Sequence, residues 1–462
     1  MKTYQDFQRA QQEGQLIEFI KTAINDYKDS TDYKIALDAD EYEAERNVTI
    51  IKYTKKLYTM DGREVDDFTS SSNLRIASNF FHRLTTQRCA YSLGNGISFA
   101  NARHNVVDGK RVTIDETKQK LGNDFDTILY EAGHYGLIHK VSYPMWNLDH
   151  AELFRMTEFC PLYDEYTGAL MAGLRFWSVD WGVKPVTVVL YEHDGYTKYR
   201  TKKDSKGLDI EEYEPKRAYK QVIAHNDVDP DEVIGESNYS ALPIIPLWGS
   251  KHHQSDLVGM RAKIDAYDLI KSGFANDLQE CAEIYWIVSN AMGMNDSDLA
   301  KFRDRIKLNH IAVVDTDNTP VTPYTQEIPV NAKQTLLQLL KDQIYEDYGA
   351  LNVTALSGGQ NRTATEIEAS YQPMDEEADD FEYQVIKCIR GILQILGIDD
   401  MPLFSRNRVT NQKETTEMVM LAANYLDDET VLKKLPYITP DEIETIMMNK
   451  QGDDQSFVEP EV

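Results

Sequence analysis

The chain has 462 residues, 42% of them hydrophobic and 27% charged, with a formal net charge of −27 and a mean hydropathy of −0.50. These totals suit a globular protein of about three domains, and no apolar run reaches the length of a membrane span. So acidic a surface excludes a general nucleic-acid binder, which needs surplus lysine and arginine to neutralise phosphate; it does not exclude a passage through which DNA slides without sticking.

The N-terminus, MKTYQDFQRAQQEGQ, lacks the basic-then-apolar layout of a secretory signal, so folding in a cytoplasm is expected. Residues 4–28 predict one amphipathic helix, with Phe7, Leu16, Phe19, Ile20 and Ile24 on one face. Residues 29–44 are polar and acidic and read as a linker. Helices follow over 75–94, stopped by a glycine, and over 117–136. Five short β-rich runs separated by turn signals then predict an antiparallel meander across about 139–225.

A long helix is expected over 257–282, with Leu257, Met260, Ile264, Tyr267, Ile270, Phe274, Leu278 and Cys281 on one broad face. A compact insert comes next: a strand at 283–290, a short helix at 297–307 capped by Ser297, and a strand at 309–317. A second long helix over 329–349 carries Leu336, Leu337, Leu340 and Ile344. The polar loop LSGGQNR (Leu356–Arg362) joins it to a third long helix, capped by Thr363 or Thr365, in which Pro373 predicts a kink or break. The last 60 or so residues read as helices with polar joints, and QGDDQSFVEPEV as disordered.

Few residues suggest chemistry. The paired glycines of the loop are not a phosphate cradle: that needs G-x-x-x-x-G-K-[ST] after a strand, and here a helix precedes and no lysine follows. Arg362 either touches phosphate or pairs with Glu366 four residues on. Cys89, Cys160, Cys281 and Cys388 form no CxxC pair and read as buried free thiols. His252, His253 and Asp256 lack further ligands at metal spacing, and His134 and His139 read as packing residues. The run Asp375-Glu376-Glu377-Ala378-Asp379-Asp380 reads as the solvated start of a helix after Pro373, with a divalent-cation site as the other reading. No catalytic motif is found, so neither a catalytic residue nor a cofactor is assigned.

Four stretches, in order, resemble one family. NLRIASNFFHRLTTQRCAYSLGNGISF is similar to its early Asn-rich helix and glycine ending. SALPIIPLWGS and the helix through SGFANDLQECAE are similar to its apolar strand and following long helix. LSGGQNRTATEIEASY is similar to its loop-to-helix junction. Together, across roughly residues 73–400, they resemble the portal proteins of tailed bacteriophages, particularly the siphophage type; the termini match less well.

The resemblance implies an α+β portal fold assembled as a ring of about twelve subunits at one capsid vertex. It implies an N-terminal helix and linker (1–44), a wing (45–256), a first stem helix (257–282), a clip (283–328) and a second stem helix (329–348). A tunnel loop (349–362), a connecting helix (363–400) and a crown and tail (401–462) complete it. Leu356, Ser357, Gly358, Gly359, Gln360, Asn361 and Arg362 would face double-stranded DNA in the channel. The implied partners are other copies of the chain, the terminase large subunit, a head–tail adaptor, and the major capsid and scaffolding proteins, in the virion and, during assembly, the host cytoplasm. No membrane is implied. An acidic cytosolic metal-dependent enzyme acting on nucleic acid, with the 375–380 carboxylates as ligands, and a monomeric adaptor or scaffold are the alternatives.

Overall fold

The computed structural model describes residues 2–54, 56–58, 62–66, 73–107, 110–178, 186–202, 208–224, 232–281, 285–288, 321–324, 329–353, 364–408, 412–435, 438, 443 and 446–447. The chain is mixed helix and strand, the expected α+β class. It divides into two compact units: one of Met1–Asn47, Asn79–Ala262 and Asp342–Val462, the other of Val48–Ser78 and Lys263–Lys341.

The first unit opens with α1 (Tyr4–Gln12), α2 (Leu16–Asp29) and α3 (Thr31–Glu43). The single helix expected over 4–28 is broken at Gly14, whose φ of +70° only glycine adopts readily. The expected linker over 29–44 is instead α3. Ser30 caps it by accepting from the Tyr33 N–H, and its buried face is Ala36, Ala39 and Tyr42. Alanines give little hydrophobic signal along a sequence, yet they let two helices approach closely. The carboxylates of α3 secure it: Asp40 accepts from His139 Nε2 at 2.6 Å, and Glu43 Oε1 meets His82 Nδ1 at 2.6 Å and His134 Nε2 at 2.9 Å. Burial pushes the Glu43 carboxyl up, but the two histidines outweigh it and hold it below its ordinary value.

The predicted helix at 75–94 is α5 (Phe80–Leu93), ending at Gly94. The one predicted at 117–136 is two, α6 (Glu116–Leu121) and α7 (Phe125–His139). Two sheets replace the expected single meander, because the turn Met156–Glu158 redirects the chain. β6 (Val141–Asn147) and β7 (His150–Arg155) pair with β15 (Leu247–Trp248) in the order β15-β6-β7. The rest is an antiparallel meander in the order β12-β11-β10-β9-β8: β8 (Phe159–Tyr163), β9 (Leu170–Ser178), β10 (Val186–Glu192), β11 (Gly195–Thr201) and β12 (Ile210–Arg217). Smaller pairs are β3 (Ile97–Phe99) with β18 (Pro402–Phe404), β4 (Arg103–Val107) with β5 (Lys110–Ile114), and β13 (Lys220–Ala224) with β14 (Glu232–Ser237).

One apolar core joins these elements. Phe19, Ile20 and Ile24 of α2, Trp146, Phe154, Phe159, Val188 and Leu190 of the strands, and Phe381, Val385 and Ile389 of the third long helix are all buried in it. Each such side chain contributes roughly 1.5–3 kcal/mol. Cys89, Cys160 and Cys388 are free and buried, as expected of packing thiols, and burial raises all three.

The second unit contains α4 (Val48–Lys52), the pair β1 (Lys56–Tyr58) and β2 (Glu64–Asp66), and parts of two long helices, α8 (Asp256–Cys281) and α9 (Val330–Tyr348). Residues 73–78 run along α8: the Leu74 N–H donates to Asn276 Oδ1 at 2.7 Å and the Ile76 N–H to Ser272 Oγ at 2.9 Å. Lys333 of α9 pairs with Asp277 of α8. The strand expected at 283–290 is β16 (Tyr285–Val288). Its partner is β17 (Val321–Tyr324), which periodicity did not single out. The helix expected at 297–307 and the strand at 309–317 lie outside the described residues.

Candidate functional site

The predicted loop, Leu356, Ser357, Gly358, Gly359, Gln360, Asn361 and Arg362, lies outside the described residues, as does Thr363. What the structure shows is how both flanks are held, all within the first unit. The entering flank is the last turn of α9 and residues 349–353. The leaving flank is α10 (Ala364–Leu396), with Thr365 in its first turn.

Leu351, from one flank, and Tyr371, Met374 and Ala378, from the other, share a small cluster with Tyr91 of α5, with Ile367 packed against it. The chain leaves α9 through Gly349, whose φ is +67°. A Cβ there would lie 2.9 Å from Glu377 Cγ and 3.1 Å from the Pro373 carbonyl oxygen, so only glycine allows this approach to α10. Gln87 Nε2 donates to the Leu351 carbonyl at 3.1 Å.

Pro373 does not break the helix. α10 runs through it without interruption, although the ring removes the N–H that would bond the Ala369 carbonyl. Tyr371 and Met374, on either side, are buried and hold this turn in place. The acidic run 375–380 therefore lies in the middle of a helix and is not a solvated helix start.

Its carboxylates divide between two groups of basic partners. On one side Arg88 of α5, nine-tenths buried, reaches Asp256 at 3.2 Å and Glu377 at 3.2 Å. It also donates to the Tyr348 carbonyl at 2.6 Å, and its guanidinium lies 4.0 Å from the centre of the Tyr348 ring. The Tyr348 hydroxyl donates to Asp256 at 2.6 Å. One arginine thus joins the first turn of α8, the last turn of α9 and the middle of α10. Burial raises the Asp256 carboxyl above its ordinary value, opposed by Arg88 and the Tyr348 hydroxyl. A cavity of about 190 Å³ lies beside this group, lined by Arg88, Lys251, His252, Asp256, Glu377 and Asp380 among others.

On the other side, Asp375, Asp379 and Glu382 lie at i, i+4 and i+7 of α10, on one face. Arg406 donates to Asp375 at 2.9 Å, to both oxygens of Glu382 at 2.9 Å, and to Asp379. Arg408 donates to Asp375 at 2.5 Å and to the Tyr91 hydroxyl at 2.8 Å, while that hydroxyl donates to Asp375 at 2.6 Å. Burial pushes Asp375 up, but Tyr91, Arg408 and Arg406 hold it below the usual carboxylate range.

Of the residues weighed for metal binding, His253, Asp256 and Asp380 have other partners. His253 stacks on Trp248 at 3.8 Å, Asp256 belongs to the Arg88 group, and the backbone N–H of Lys251 donates to Asp380 at 3.0 Å. Among the described residues no group of three or more His, Cys, Asp or Glu side chains is placed to hold a metal ion. His134 and His139 tie α7 to α3, a packing role. Sequence reading passed over Arg88, Arg406 and Arg408, whose partners are too distant in the chain for any local pattern.

The profile of a family described as phage portal protein, SPP1 Gp6-like, matches residues 24–456. The chain is 22% identical over 440 residues to the portal protein of Bacillus phage SPP1, covering 87% of this chain and 80% of that protein. It is 25% identical over 217 residues to the portal protein of Clostridium phage phiCD119, covering 45% of this chain and 48%, about half, of that protein.

Proposed function

Because the chain belongs to the SPP1 Gp6-like family of phage portal proteins, we propose that its copies close into a ring of about twelve at one capsid vertex. The ring is the channel for DNA packaging and ejection. It docks the packaging terminase on one side of the vertex and head–tail connector proteins after filling, with capsid and scaffolding proteins around it. The observation that carries this reading is the family match over residues 24–456, which spans every element described from α3 onward. The protein's role is mechanical, and ATP hydrolysis belongs to the terminase.

In this reading the wing is 45–256, α8 and α9 are the stem helices, 283–328 is the clip, 349–362 is the tunnel loop, and α10 leads to the crown. Two features of the chain support it. Leu278 of α8 and Val330, Leu336 and Leu339 of α9 are exposed, an apolar surface on the long helices that a neighbouring copy would cover. The net charge of −27 per chain gives a twelve-fold ring on the order of −300 charges, a wall from which DNA is repelled and along which it slides.

Leu356–Arg362 then faces the channel, where adjacent Gly358 and Gly359 let the loop follow a moving duplex. Electron microscopy of the purified protein tests the ring: about twelve subunits around a hole ~20–40 Å wide are expected. Deleting Ser357–Asn361 tests the loop. Rings should form as before while packaging or retention of DNA fails; normal packaging by the deletion variant would overturn the loop's role.

A further inference from the structure

The two arginines at Arg406 and Arg408 have no part in the reading above. They lie on Ser405–Arg408, which leaves β18 and leads to the C-terminal helices α11 (Gln412–Ala422) and α12 (Asp428–Lys434). This stretch has no helix or strand of its own, yet it is fastened along its length. Asn95 Nδ2 donates to the Ser405 carbonyl at 3.0 Å, and the Asn407 N–H donates to the Tyr91 carbonyl at 3.0 Å. Arg406 and Arg408 supply the ion pairs to Asp375, Asp379 and Glu382.

We propose that Ser405–Arg408 is an ionic strap that holds α10 against α5 and so sets how firmly both flanks of residues 354–363 are anchored, linking the C-terminal region to that segment. Three carboxylates on one helix face repel one another, and Arg406, which contacts all three, offsets that repulsion together with Arg408. Asp375 is shared by Arg406, Arg408 and Tyr91. Tyr91 stacks on Tyr371 at 5.9 Å and packs with Leu351 and Met374. The connection from strap to both flanks is therefore contiguous: arginine to Asp375 and Tyr91, then Tyr91 to Tyr371 and Leu351. These ion pairs are partly exposed, so salt weakens them, unlike the buried Arg88 group. Any movement of α11 and α12 that draws on the strap reaches the flanks through charge and needs no change in the apolar core.

Only the consequence for DNA passage rests on the portal reading; the strap itself is tested without DNA. The experiment is backbone amide hydrogen exchange on the full chain, comparing wild type with Arg406→Gln/Arg408→Gln. Exchange at 345–351 and 367–374 should accelerate about tenfold or more, with β10 and β6 unchanged. Acceleration confined to residues beyond 404 would overturn the proposal. Should the double variant fail to fold, Arg408→Lys and about 1 M salt on the wild type give the same readout, with a graded acceleration of about two- to fivefold expected. No response at either flank to both would overturn it equally. Arg406→Lys should be intermediate, since one ammonium cannot reproduce the forked contact to Glu382. Absence of rings or of packaging would count against the portal reading and leave the strap untouched.

Discussion

The sheet core of the first unit and the base of the 354–363 segment are held in different proportions by apolar burial and by charge. Around Phe154, Phe159, Val188 and Leu190 stability comes from apolar burial, which is non-directional and tolerates small adjustments. Around Tyr348, Gly349 and Asp375 a small apolar cluster is flanked by two arginine-centred groups of carboxylates, tied at definite distances. A core specifies a shape. Ion pairs specify which elements are joined and respond to pH and salt. At the flanks of 354–363 the hold on the chain is thus partly separable from the fold.

Truncation separates the two regions most strongly. Trp146→Ala, at a fully buried strand position, should cost about 4–5 kcal/mol in denaturant unfolding and lower the stability of the whole first unit. Arg88→Ala should cost about 3–4 kcal/mol, because it leaves Asp256 buried without its cation. Arg88→Ala with Asp256→Asn should recover part of that loss, which no pair of core truncations would do.

Gly173→Ala sharpens the contrast from the core side. Its Cβ would fall 2.0 Å from Phe159 Cζ, so the ring must move, at a cost of about 1–3 kcal/mol with no salt dependence.

The pH response separates the regions more gently. Asp375 and Glu43 both titrate below their ordinary values in the folded chain. Each therefore contributes stability that is fully present above the unfolded pKa, about 3.9 and 4.3 respectively, and is lost as pH falls through the folded value. Asp375→Asn should flatten that acid limb, measured by urea midpoints between about pH 3 and pH 5; an unchanged limb would show that Asp375 is not held by its arginines. The smallest effect belongs to Lys433–Glu429, an exposed i, i+4 pair on α12, where Lys433→Ala should cost no more than about 0.5 kcal/mol.

Local patterning made much of the architecture legible. The apolar spacing of 257–282 and 329–349 gives α8 and α9 almost to the residue, since a helix face repeats every three or four positions. The β-rich runs give the strands of the meander, and the helix read after the glycine-bearing loop is α10. Four short motifs in order also sufficed to point to the portal family. Where the reading failed, the deciding interaction was distant or too quiet to register. α3 is a helix because Ala36 and Ala39 fit against its neighbours, and alanine scarcely registers in an apolar pattern. Pro373 stays inside α10 because the packing of Tyr371 and Met374 outweighs a local preference to stop.

The sequence by itself determined the acidic charge, the helix and strand periods, the buried thiols of Cys89, Cys160 and Cys388, and the family. Only the tertiary structure decided which charges meet. Arg88 and Asp256 are 168 positions apart, and Arg406 lies 31 positions from Asp375. Periodicity is a property of neighbouring residues, whereas the partner of a charge depends on where the whole chain has brought it. That is why the middle of α10 reads as a solvated acidic run and folds as the shared counter-charge of three arginines.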